Sequence, residues 1–90
     1  MTISIPEEST EIVKETIKKE IVRLREKITF LREQLREHEQ KYKLSSESFL
    51  EQVNEGKLGD IQDYFDWYAS FQTFKRVKER LNSLEKVKLD

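Results

Sequence analysis

IKKEIVRLREKITFLREQLREHEQKY, residues 17–42, is the stretch that decides the fold. Its mostly apolar positions step by four and three: Ile17, Ile21, Leu24, Ile28, Leu31, Leu35, His38 and Tyr42. That step returns side chains to one stripe of an α-helix, which is the pattern of a coiled-coil seam. With Ile17 at d, Ile21 and Ile28 fall at a and Leu24 and Leu31 at d, which suits two strands in parallel packing. In a parallel homodimer Glu20 would meet Arg25 favourably, but Lys27 would meet Arg32 with like charge. An antiparallel partner fits better, and the chain can supply one.

Working outward, neither Gly nor Pro interrupts the chain between Pro6 and Gly56. Ser4-Ile5-Pro6-Glu7 has the spacing of a capping box, and Pro6 in a first turn costs no helical hydrogen bond. Glu7, Glu8 and Glu11 place negative charge at the positive end of the dipole. The reading is a first helix over about 6–43, roughly 55 Å long at about 1.5 Å per residue. Ser45 or Ser46 can cap a short helix over about 46–55, closed by Gly56 in the left-handed region. Asp60 is a good N-cap for a third helix over about 61–87. Its apolar stripe reads Tyr64, Tyr68 or Trp67, Phe71, Phe74, Val77, Leu81 and Leu84. The expected architecture is all-α and one domain, residues 1–90: an antiparallel helical hairpin with a short helix capping its turn. The first helix outruns the third, so its N-terminal third projects or pairs with another chain. A hairpin buries little, so assembly into a dimeric bundle is also expected, with Ile17, Ile21, Leu24, Ile28, Leu31 and Leu35 as self-association residues.

Composition narrows the function. Ninety residues with no cysteine and one histidine leave no disulfide, thiol nucleophile, zinc finger or His-rich metal centre. Charged residues are 39% of the chain and hydrophobic residues 36%, so water-facing surface is plentiful and core is scarce. The net charge of −1 hides an uneven distribution: +1 over residues 1–44, −5 over 45–74 and +3 over 75–90. A phosphate-binding surface needs concentrated basic charge, and the middle third is the reverse. Nucleic acid is therefore disfavoured as a partner. Apolar runs are too short for a membrane span, and residues 1–6 lack the pattern of a signal peptide. A cytoplasmic protein without membrane contact, small-molecule substrate or cofactor is the expectation.

Few side chains offer chemistry. His38 sits at a seam position, and as a general base it would need a carboxylate or nucleophile beside it. Its helical neighbours suggest no triad, and the plainer reading is a part-buried polar residue, hydrogen-bonded in the core, that fixes register. Glu47, Glu51 and Glu55 line one face of the short helix, and Asp60, Asp63 and Asp66 recur along the start of the third. They are either a solvated face that complements a helix dipole, a docking surface for a basic partner, or carboxylates for a hard cation. No Asp-x-Asp-x-Asp-Gly loop supports the cation.

Eight of the nine aromatics fall between Tyr42 and Phe74. The adjacent pairs Tyr64-Phe65 and Trp67-Tyr68 point about 100° apart on a helix, so one face cannot bury all four rings. Either neighbouring helices wrap both sides, or some rings stay exposed as a protein-binding anchor. The partner-binding candidates are accordingly Glu47, Glu51, Asp63, Phe65, Asp66 and Trp67. The basic tail of Lys75, Arg76, Lys78, Arg80, Lys86 and Lys88 reads mainly as the polar side of an amphipathic helix. Phosphate loops, Ser-His-Asp arrangements and HExxH are absent from the sequence, so an enzyme is not expected.

The tract Phe49-Leu50-Glu51-Gln52-Val53-Asn54-Glu55-Gly56-Lys57-Leu58-Gly59-Asp60, followed by Asp63-Tyr64-Phe65-Asp66-Trp67, resembles a module of small archaeal and cyanobacterial coiled-coil proteins. In these a long Glu/Lys-rich helix precedes a Ser-x-x-x-Phe turn, a Gly-x-Leu-Gly-Asp step, a Phe-x-Trp pair and a final helix. The resemblance covers about residues 17–84. Such proteins are similar in size and layout to antitoxin-like members of toxin–antitoxin pairs. It implies a non-enzymatic protein that masks or neutralises another protein. The fragment Thr2-Ile3-Ser4-Ile5 is too short for a ribbon-helix-helix DNA-binding end. The alternatives are a purely structural self-assembling coiled coil, and a nucleic-acid accessory protein that uses the basic C-terminal face.

Overall fold

The computed structural model describes residues 7–87. They form three helices: α1 over Glu7–Tyr42, α2 over Ser46–Asn54 and α3 over Gln62–Glu85. The architecture is the expected helical hairpin, with α3 antiparallel on α1 and α2 across the turn. At 36 residues α1 is about 54 Å long, and it sets the 56 Å long axis of the molecule. Among the described residues no helix is long and apolar enough to cross a membrane. The expected capping box at Ser4 lies outside the described residues.

The core has two parts. Along the rod, Leu24, Ile28 and Leu31 of α1 pack with Val77 and Leu81 of α3, flanked by Ile21, Phe74 and Leu84. At the elbow, Leu35, Phe49, Trp67 and Phe71 bring all three helices together. Burying each of these side chains contributes on the order of 1.5–3 kcal/mol. Arg25 donates to Glu85 at 3.0 Å at one end of the rod, and Lys41 donates to Asp63 at 2.5 Å at the other. Together these contacts fix the antiparallel register. Four of the six residues expected to mediate self-association, Leu24, Ile28, Leu31 and Leu35, are therefore spent within the chain. Their partner is α3, which carries a matching stripe.

The turn between α1 and α2 is set by an unusual residue. Lys43 has φ of 53°, in the left-handed region, and the Leu44 N–H returns to the Glu39 carbonyl at 3.2 Å. That is a Schellman closure made without glycine. α2 closes as expected: Gly56 has φ of 69°, and the Lys57 N–H reaches the Gln52 carbonyl. The start of α3 corrects the sequence reading. Its N-cap is Ile61, without a side-chain cap, and not Asp60.

Candidate partner-binding elbow

Trp67 organises the inside of the elbow. It is fully buried. Its ring stacks on Phe49 of α2 at 3.9 Å between centroids and 4° between planes. On α1 it is flanked by His38 at 5.6 Å and Tyr42 at 5.8 Å, both near parallel. Its Nε1–H donates to the buried Ser46 Oγ at 2.9 Å, which satisfies the indole's one polar group. His38 thus serves as a stacking plate, where the sequence suggested a hydrogen-bonded core residue.

Two caps position α2 and hence Ser46. The Ser45 Oγ accepts from the Ser48 N–H at 3.1 Å, and a Glu39 carboxylate oxygen accepts from the Ser46 N–H at 2.9 Å. Asp63 then ties α3 to the end of α1. One of its oxygens accepts from both the Lys41 Nζ and the Tyr42 hydroxyl. The lysine first, and the tyrosine second, hold the Asp63 carboxyl below its ordinary value. Asp63 in turn raises the Lys41 ammonium and, by accepting its proton, the Tyr42 hydroxyl.

The outer face differs in character. Ile61, Phe65 and Tyr68 stand on one side of α3, 46%, 57% and 41% exposed. Beside them the α2–α3 connection folds over a concavity of about 430 Å³. Val53, Leu58, Tyr64, Phe65 and Tyr68 line it, and Asp60 stands at its edge. Asp66 is exposed on the same helix and accepts from Gln62 at 3.0 Å.

The six partner-binding candidates therefore separate. Phe65 and Asp66 are displayed near the concavity. Asp63 is half-buried and engaged inside the fold. Trp67 is core, so as folded it faces no partner. Glu47 and Glu51 are exposed but border a different recess, with Leu50, Phe71 and Phe74 as its apolar floor and Lys75 and Lys78 beside it. Sequence reasoning missed Ile61 and Tyr68. The signal was present, since 61, 65 and 68 step by four and three as a second stripe beside the core stripe. Among the described residues, no group of three or more carboxylates and histidines is placed to hold a metal ion.

No protein-family model matches this chain, and neither a curated protein nor a solved structure matches it significantly.

Proposed function

We propose that the protein is a non-enzymatic interaction module that grips a basic protein segment at the elbow. The observation that carries this reading is the pairing of an apolar recess with exposed rings and acidic surroundings. Phe65 and Tyr68 offer flat, rotationally restricted anchors beside a recess, which is the usual make-up of an interface hot spot. Residues 45–74 carry a net charge of −5, which steers a basic partner and speeds its arrival. Tyr and Phe faces also attract lysine or arginine heads. An antitoxin-like role, in which the occupied partner is held inactive, is the specific form of this reading that the resemblance implies.

The test uses Phe65→Ser and Tyr68→Ser together, because both side chains are exposed and the hairpin core is untouched. Proteins captured from native cells by wild type and by the double variant would be compared at two salt concentrations. A basic protein that wild type retains at low salt, and that the variant loses, supports the reading. Equal recovery of every bound protein by both contradicts it.

A further inference from the structure

In the antiparallel register, the last turn of α3 reaches α1 at about residues 21–25, where Leu84 lines a groove with Ile21 and Glu85 lies 3.0 Å from Arg25. Residues 7–19 of α1 lie past that end, roughly 20 Å of helix. Ile17 lies on the seam there and Val13 stands beside it, and both are half-buried. Ile17, Ile21, Leu84 and Val87 form the apolar part of an open groove at this end of the rod, edged by Lys14 and Lys18.

We propose that a second copy of the chain fills this groove with its own residues 7–19, running antiparallel to the first. The charge order along the segment argues for this occupant. Glu7, Glu8 and Glu11 come first, and Lys14, Lys18 and Lys19 follow. Antiparallel overlap centred between residues 11 and 14 sets Glu11 against Lys14 and Glu7 against Lys18, twice over by symmetry. Parallel overlap would set three carboxylates against three. The Glu11–Lys14 ion pair within one chain is 3.8 Å long and largely exposed at the carboxylate, so exchanging partners costs little.

Helix direction argues the same way. The incoming α1 runs parallel to α3 and prolongs its line, so its N-terminus, rich in Glu7 and Glu8, meets the α3 C-terminus at Lys86. The positive end of one dipole then faces the negative end of the other. Surface area agrees. The chain exposes 7196 Å², against about 5,600 Å² for a compact monomer of this mass. The excess is more than the roughly 800 Å² that each partner buries in a standard protein–protein interface. This dimer is independent of the elbow and leaves both elbows free.

Sedimentation equilibrium on the full chain tests it. The expected result is a species of twice 10.9 kDa at high concentration, weakened by salt. Val13→Glu with Ile17→Glu should be monomeric with unchanged helical circular dichroism, since neither residue belongs to the buried core. Lys14→Glu with Lys18→Glu should be monomeric alone, and should dimerise when mixed with Glu7→Lys, Glu11→Lys chains. Polarity is read with introduced cysteines, because the chain has none. Glu7→Cys and Lys18→Cys chains should cross-link to each other and not to themselves. A monomer at every concentration, a dimer that survives Val13→Glu with Ile17→Glu, or self-linking of Glu7→Cys chains would each overturn the proposal.

Discussion

Trp67 depends on a single serine hydroxyl, and Ser46 is itself buried. Ser46→Ala leaves the indole N–H without an acceptor in a dry site, so we expect a loss of about 1–3 kcal/mol. Urea unfolding followed by the fluorescence of the lone tryptophan would measure it. Lys43 offers the opposite change. A non-glycine residue in the left-handed region costs roughly 1–2 kcal/mol, so Lys43→Gly should raise the urea midpoint, while Gly56→Ala should lower it by a similar amount. Nothing lies within 4 Å of a Cβ built on Gly56, so the second cost is conformational alone. Asp63 sets the pH response. Its folded pKa is depressed, so its contribution is complete above the ordinary carboxylate value of about 3.9 and is lost as pH falls through the lower folded value. Lys41 and Tyr42 are raised, so their contributions hold below about 10 and are lost as pH climbs through their folded values. Asp63→Asn should flatten the acid limb of a stability–pH curve. An unchanged acid limb would show that the cluster does not bind α3 to α1.

At the scale of elements, the seam of α1 was legible because the four-three step is a local property of the sequence. It located the buried face of α1 correctly at Leu24, Ile28, Leu31 and Leu35. The inside of the elbow was not legible. Trp67 and Tyr68 are adjacent, and periodicity admits either to the core stripe. The choice is made by groups far along the chain: Ser46 and Phe49 on α2, and His38 and Tyr42 on α1. The N-cap of α3 failed for a related reason. Asp60 has the right side chain, but the helix starts one residue later, and Asp63 is drawn to Lys41 and Tyr42. The acidic cluster looked like one surface because its members are close in sequence. Folding divides it between the Phe65 side and the Glu47 side of the elbow. Removing a rod residue should be felt by the whole hairpin. Leu31→Ala is expected to cost about 2–5 kcal/mol, against a total of only about 3–5 for a core of this size. Circular dichroism at 25 °C should show that variant largely unfolded.

The molecule as a whole is a rod whose two long helices zip within one chain, with an aromatic elbow at one end and a charged, overhanging helix at the other. Both proposed interfaces depend on that zipping. An elbow needs all three helices in place, and an overhang exists only where α3 stops short of α1. Arg25 and Glu85 report the closure directly, since they touch in the folded chain and both are exposed. Spin labels on Arg25→Cys and Glu85→Cys in the same chain, diluted in excess unlabelled protein, give the deciding measurement. A short distance between the labels that dilution does not abolish is the predicted result. A long distance, or a short one that disappears on dilution because α3 had zipped onto a neighbour's α1, would contradict the hairpin.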